Sequence, residues 1–174
     1  MNAVFREPDR RRLLQVRRIG PGDLASYRAL RRDSLAGARH FAEPEVLREI
    51  GDEPEGLSRL FEHYQDRDTR LWGVFDRTRL AGVAGLSRGF DSAHLWGAYV
   101  LPRYRGTPVS RLLMETAIHC AADEWTVERL SARFASSNLQ ARRFLERFGF
   151  DRSDHGSGPS VDFDDRMVWM TRQV

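Results

Sequence analysis

A strand-to-helix turn rich in arginine is the part of the sequence best suited to chemistry. Residues 98–111 read AYVLPRYRGTPVSR, where a predicted strand ends, the chain turns through a glycine, and an amphipathic helix begins. The N–H groups that begin a helix lack intrahelical partners and carry the positive end of the helix dipole. They therefore offer a site for a phosphate or pyrophosphate, and Arg103, Arg105 and Arg111 add positive charge.

A purely structural role for this turn stays open, whereas two kinds of nucleotide-binding loop are excluded. Ordinary strand-to-helix turns with arginines facing the solvent are common. The turn lacks the Lys-Ser/Thr pair of an NTP-binding P-loop, and it lacks the three glycines of the dinucleotide fingerprint.

The same turn resembles the signature of the GNAT superfamily of N-acetyltransferases, Gln/Arg-x-x-Gly-x-Gly/Ala after a strand ending in Val and Pro. Residues 103–106 match its first four positions, whereas Pro108 replaces the last Gly or Ala and Ser110 replaces a frequent further glycine. Pro108 removes one N–H donor, but proline suits the first turn of a helix. We expect it to weaken cofactor binding modestly without abolishing it.

A second segment, residues 138–150, resembles the Asn-x-x-Ala-(x)7-Gly-Phe ending of the family. Its alternative is an amphipathic helix with an Asn cap and a Gly stop. Both segments occur in order, with a predicted strand at 129–134 between them. The resemblance implies acetyl-CoA as co-substrate and no metal. The cofactor-binding residues that it implies are Tyr99, Val100, Leu101, Arg103, Arg105, Gly106, Thr107, Val109, Ser110, Arg111 and Asn138.

In the family the acceptor amine attacks the thioester directly, within a ternary complex, and the leaving thiolate takes up a proton. Many members supply that proton from a tyrosine where this chain has Leu145. Water, Tyr99 or Ser137 could replace it. The main-chain N–H groups of residues 99–101 are expected to polarise the thioester carbonyl.

A base must also accept the proton of the amine. Many relatives carry a glutamate where this chain has His94, and a neutral histidine is a suitable base near pH 7. The alternative is a surface histidine at the start of a strand. Asp91, Glu43 and Glu45 are further candidates if water relays the proton. We therefore predict His94 and Tyr99 as the catalytic residues.

In the family the acceptor usually lies between the first two helices and a late polar loop, which the resemblance places at residues 36–61 and 151–165. These segments are rich in Asp and Glu. An acidic mouth would suit a cationic amine, and a solvated charged loop is the alternative. A small amine, an antibiotic and a peptide or protein N-terminus all stay open. Homodimers are frequent in the family, so the resemblance allows one here.

Hydrophobic periodicity supplies the elements that position these residues. It predicts strands at 13–19, 71–75, 80–86, 94–101, 129–134 and 167–171, with helices at 23–36, 109–122 and 139–148. Two short helices are predicted within 37–65. The result is a single-domain α/β fold over 13–174, with a mixed sheet and helices on both faces. The resemblance implies that this sheet has six to seven strands and is splayed at its centre. Residues 1–12 are a charged tail or an edge extension.

Composition indicates where the protein is located and which partners it binds. The chain has 174 residues, one cysteine and no apolar run of the roughly 18–20 residues that span a bilayer. A lone Cys120, predicted to be an inert core thiol, and an N-terminus without a secretory signal favour the cytoplasm. All 28 basic residues are arginine, but the net charge is only +3, and their scatter argues against nucleic acid. A weakly catalytic or non-catalytic acyl-CoA sensor is the alternative function.

Overall fold

The computed structural model describes residues 3–6, 13–36, 67–153 and 167–174. The contacts divide the chain into two compact units, Met1–Gly85 with Gly97–Glu115, and Leu86–Trp96 with Thr116–Val174. The predicted mixed α/β architecture is confirmed. Its strands number eight within the described residues, where the sequence predicted six to seven.

The first unit is built on antiparallel strands. They are β1 (Ala3–Arg6), β2 (Leu13–Arg18), β3 (Thr69–Asp76) and β4 (Arg79–Arg88), in that order across the sheet. In register, β1 pairs Val4 with Gln15, and β2 pairs Val16 with Val74. Of the two alternatives for residues 1–12, the edge extension therefore matches Ala3–Arg6.

Helix α1 (Leu24–Ala36) follows a single 3₁₀ turn, Pro21–Asp23. Asp23 holds that turn, because its carboxylate accepts the Gly20 N–H at 2.9 Å and two hydrogen bonds from Arg17 at 2.6 and 2.7 Å. Tyr27 and Leu30 are buried, as their helical spacing predicts. The two helices predicted within 37–65 lie outside the described residues.

The second unit contains the first part of β5 (Ser92–Val100), up to Trp96, together with β6 (Arg129–Ala135), β7 (Asp151–Ser153) and β8 (Met167–Gln173). Strand β6 runs parallel to β5 and antiparallel to β8, and β7 flanks β8. The parallel register joins Ser92–Leu95 to Arg129–Ala132, while β5 continues to Val100.

Two helices accompany these strands. Helix α2 (Val109–His119) ends in a π-helical turn, Cys120–Glu124, where the sequence predicted regular helix to residue 122. Helix α3 (Leu139–Arg147) ends at Gly149, whose φ of +75° belongs to the left-handed region that glycine favours. Cys120 is 1% exposed, which agrees with the predicted core thiol.

Hydrophobic side chains occupy most of the buried positions described in the two units. Trp72 and Trp125 are buried, whereas Trp96 is half-buried and donates its indole N–H to Ser87 at 2.8 Å. No helix in the part of the chain that the structure describes is long and apolar enough to cross a membrane. The short strand β7 falls where the sequence predicted an irregular polar segment.

Candidate active site

The loop between β5 and α2 has a defined backbone shape. A 3₁₀ turn at Pro102–Tyr104 is closed by the Tyr104 N–H on Leu101 O at 2.8 Å, and Arg105 N–H follows on Pro102 O at 3.1 Å. Gly106 then takes a φ of +75°, and a Cβ added there would meet no atom within 4 Å. The glycine is thus required by backbone conformation and not by crowding.

The helix that follows starts directly after this glycine. Thr107 binds the Tyr104 carbonyl twice, through its N–H at 3.2 Å and its hydroxyl at 2.6 Å. The Pro108 carbonyl accepts the Leu112 N–H at 2.9 Å, so α2 is wound from its first residue. The N–H groups of residues 109–111 therefore lie at a helix start, where they have no intrahelical acceptor.

Packing fixes the start of α2 against strand β4. Val109 is fully buried, and a Cβ on Gly82 would lie 2.9 Å from Val109 Cγ1 and 3.0 Å from Tyr99 O. The absence of a side chain at Gly82 thus allows β4, β5 and α2 to approach closely. Tyr104 anchors the loop to strand β3, because its side chain is buried and its hydroxyl donates a hydrogen bond to Asp76 at 3.1 Å.

The arginines of the loop stay at its surface. Arg103 and Arg105 are exposed, and Arg105 Nε donates to Val100 O at 3.4 Å. Arg111 is exposed as well and forms an ion pair with Glu115 at 3.4 Å, one helical turn along α2. Three cationic side chains therefore flank a helix start in one unit, which is an electrostatic arrangement that favours an anion.

One of the backbone N–H groups expected to polarise the thioester carbonyl, that of Leu101, already has an acceptor in the protein. The Leu101 N–H donates to Ala81 O at 3.0 Å, so it is engaged in the pairing with β4. Gly97 has a φ of +59°, and Arg31 Nη1 of α1 lies 3.5 Å from its carbonyl oxygen. A left-handed residue within a strand redirects its backbone, as in a β-bulge.

His94 is half-buried, so the alternative of a surface histidine does not describe it. Its Nδ1 lies 3.2 Å from Ser131 Oγ, and its ring centroid lies 5.1 Å from that of Trp169. Burial lowers the pKa of His94 from 6.5 to about 4. The imidazole is therefore neutral at pH 7, but it is a weaker base than an exposed histidine.

The remaining predicted residues divide between the two units. Tyr99 donates its hydroxyl to Asp33 of α1 at 2.8 Å. Asn138 is the N-cap of α3, since its Oδ1 accepts the Ala141 N–H at 3.0 Å. Leu145, in place of the usual tyrosine, is buried. Asp91 forms an ion pair with Arg129 at 2.7 Å, and Glu43 and Glu45 lie outside the described residues.

Sequence reasoning missed Ser131 and Asp33, the two partners of the predicted catalytic side chains. Ser131 left one signal, because it is a polar residue at a position of β6 where its neighbours on either side are apolar. Asp33 left none, since one carboxylate on a charged helix resembles any other.

Known proteins were compared with this chain in sequence and in fold. A search of the curated proteins found no match. Among solved structures, PaiA N-acetyltransferase from Thermoplasma acidophilum in complex with coenzyme A has a TM-score of 0.74 at 19% identity, over 92% of this chain and 99% of that one.

Two other solved structures share the fold with different named activities. Spermidine N-acetyltransferase from Vibrio cholerae, in complex with CoA and spermine, has a TM-score of 0.70 at 19% identity, over 92% of this chain and 95% of that one. Ribosomal-protein-S18-alanine N-acetyltransferase from Escherichia coli has a TM-score of 0.65 at 18% identity, over 92% and 94%. At such identities the likeness concerns the fold alone.

The family assignment rests on the sequence itself. The acetyltransferase (GNAT) family matches residues 35–150, well over half of the chain, and this span includes both the arginine-rich loop and the ending at Phe150. The protein therefore belongs to the acetyltransferase (GNAT) family.

Proposed function

We propose that the protein transfers an acetyl group from acetyl-CoA to a primary amine by direct attack within a ternary complex. The observation that carries the proposal is the loop at 102–111, where a left-handed glycine, a helix start and exposed arginines occur together. Membership of the acetyltransferase (GNAT) family supports acetyl transfer as the chemistry.

In this proposal the loop binds the diphosphate of the co-substrate. The N–H groups of Val109, Ser110 and Arg111 donate to phosphate oxygens, and Arg103 and Arg105 neutralise their charge. Thr107 orients the loop through its two bonds to Tyr104 O. Asn138, whose Oδ1 caps α3, stays a cofactor-binding residue only as the family resemblance implies it.

The chemical step requires the movement of two protons. The amine nitrogen forms a bond to the acetyl carbon, the C–S bond breaks, and the thiolate leaves. His94 is neutral at pH 7 and is proposed to accept the proton that the amine nitrogen loses. The thiolate takes up a proton from water or from Tyr99, since Leu145 carries no proton to give.

Two classes of acceptor amine belong to the proposal. A small amine and a peptide N-terminus both remain in the proposal, because the neighbouring folds include a spermidine enzyme and one for a ribosomal-protein alanine. A reducing cytoplasm and a homodimer also stay predictions, the first from the single cysteine.

The test is titration calorimetry with acetyl-CoA, using a pair of glycine variants. Gly106→Ala and Gly149→Ala both place a Cβ at a φ of +75° in open space, so both pay a similar strain. Only Gly106→Ala is expected to weaken acetyl-CoA binding, by about tenfold or more. Equal affinities of the two variants, or no binding by the unsubstituted protein, would remove the phosphate site.

Turnover is then measured as CoA thiol release with spermidine and with a peptide that begins with alanine. Release with either amine supports the acetyltransferase. The alternative function, an acyl-CoA sensor, is favoured by buried Leu145 and by Pro108. Tight acetyl-CoA binding without release from a broad set of amines would establish that alternative.

A further inference from the structure

His94 and Ser131 are opposite residues in the parallel pairing of β5 with β6. The imidazole Nδ1 lies 3.2 Å from Ser131 Oγ, within hydrogen-bond distance. Ser131 is 2% exposed, and its Oγ also lies 3.1 Å from the carbonyl oxygen of Ala93. The histidine thus stands at the end of a buried chain of two hydrogen bonds.

The protons of this chain can be assigned from its acceptors. A carbonyl oxygen only accepts, so the contact between Ser131 and Ala93 O requires the single hydroxyl proton of Ser131. The contact between Nδ1 and Oγ then needs a proton from the imidazole. Both bonds are satisfied together only when Nδ1 carries the N–H, which leaves Nε2 of the neutral ring with its lone pair.

A second contact restrains the plane of the same ring. Trp169 of β8 lies at a centroid distance of 5.1 Å from His94 with an interplanar angle of 49°. The guanidinium carbon of Arg133 lies 5.6 Å from the Trp169 ring centroid. Ser131 thereby fixes the tautomer of His94, while Trp169 limits its rotation.

We propose that Ser131 is a positioning residue that holds His94 as the Nδ1–H tautomer and so reserves Nε2 for the proton of the attacking amine. The proton transfer from the amine rests on the proposed function, whereas the assignment of the tautomer does not. In the step, an N–H bond of the amine breaks, its electron pair stays on nitrogen, and the proton binds Nε2. The ring becomes an imidazolium that keeps its Nδ1–H on Ser131.

The tautomer is measured directly by ¹⁵N–¹H correlation spectra of the histidine-labelled protein at pH 7. The protein has five histidines, and the His94 signals are those lost in His94→Gln. We expect a protonated Nδ1 and an unprotonated Nε2. A spectrum of the unsubstituted protein with Nε2–H would overturn the proposal without any assay of activity.

Three variants separate positioning from packing. Ser131→Ala removes the acceptor and is expected to shift His94 toward a mixture of tautomers, whereas Ser131→Thr keeps the hydroxyl and the Nδ1–H form. Thr171→Val is the matched control, because Thr171 is opposite Ser131 in the pairing of β6 with β8. It should leave the tautomer unchanged, and a shift as large as that of Ser131→Ala would mean a merely structural role.

Steady-state kinetics then test whether Ser131 supports the proton transfer to His94. Ser131→Ala is expected to lower kcat/KM for the amine about 10- to 100-fold, the range found for outer partners of oriented histidines at metal sites. Its affinity for acetyl-CoA should not change. A protein with the Nδ1–H tautomer but no acetyl transfer would contradict the proposed function alone. An active protein in which Ser131→Ala keeps full kcat/KM would contradict the role of Ser131.

Discussion

The Tyr99 hydroxyl donates a hydrogen bond to Asp33 Oδ2 across 2.8 Å, and this bond joins strand β5 to helix α1. Burial raises the pKa of Tyr99, and the hydrogen bond and charge of Asp33 raise it further, while Arg105 acts in the opposite direction. The hydroxyl proton is therefore directed at a carboxylate and held more tightly than in free tyrosine. A group in that state is a poor donor to a leaving thiolate.

Tyr99→Phe is accordingly expected to lower kcat of acetyl transfer by less than tenfold. Loss of a true general acid costs about 10² to 10⁴ in rate, so steady-state kinetics separate the two cases. Asp33→Asn completes a double-mutant cycle that isolates the bond from the rest of each side chain. A fall in kcat of a hundredfold or more in Tyr99→Phe alone would make Tyr99 the acid.

Pro108→Ala is expected to strengthen acetyl-CoA binding about fivefold. The substitution returns one backbone N–H to the loop, and a hydrogen bond contributes about 1 kcal/mol on balance. The Pro108 carbonyl already accepts Leu112 N–H, so α2 keeps its start in the variant. Calorimetric Kd values decide the matter, and an unchanged or weaker affinity would show that no donor is missing at this position.

Gly82→Ala is expected to destabilise the fold by about 1–3 kcal/mol and to weaken acetyl-CoA binding as well. The new methyl group would crowd Val109 Cγ1 and Tyr99 O and displace the start of α2. Urea unfolding and calorimetry measure the two effects. Gly73→Ala is the matched control, because its Cβ would crowd Leu80 and Ile19 instead. It should lose stability but keep affinity, and equal losses of affinity would contradict the role of Gly82.

The stability of the protein should depend on pH through His94. Its pKa is about 4 in the folded chain and about 6.5 when unfolded, so between these values the unfolded chain binds the extra proton. The free energy of unfolding therefore falls as the pH drops from 6.5 to 4, by about 2–3 kcal/mol from this residue, and is fully retained above 6.5.

Urea unfolding of His94→Gln between pH 4 and 7 measures that contribution. The variant is expected to show a shallower pH dependence than the unsubstituted protein. His119→Gln is the control, since His119 is on an exposed helix end beside Asp123 at 2.6 Å. If the His94→Gln and unsubstituted profiles run parallel, His94 is not buried in the neutral form.

Local patterns predicted the parts of the fold that bury the most side chains. The helical spacing of Leu113 and Ala117, which are both buried, identifies α2 because burial imposes a period on a helix. Gly106 could also be predicted, since only glycine readily takes a left-handed turn before a helix. The edge strands β1 and β7 have four and three residues, too few for a period to emerge.

The partners of the catalytic candidates could not be predicted for a different reason. Tyr99 is 66 residues from Asp33, and His94 is 37 residues from Ser131. Periodicity indicates which face a side chain occupies, but the register between two distant strands decides which residue it meets. That register depends on the whole sheet, so no short stretch of the sequence determines it.

The burial of Cys120 makes the molecule its own reporter of unfolding. Its thiol is the single sulfhydryl of the chain and is 1% exposed within the π-helical turn after α2. A thiol reagent that detects released CoA should therefore leave the folded enzyme unlabelled and give a clean assay. Without substrate, the same reagent should label Cys120 only as fast as that turn opens. The labelling rate therefore measures the rate at which the core opens.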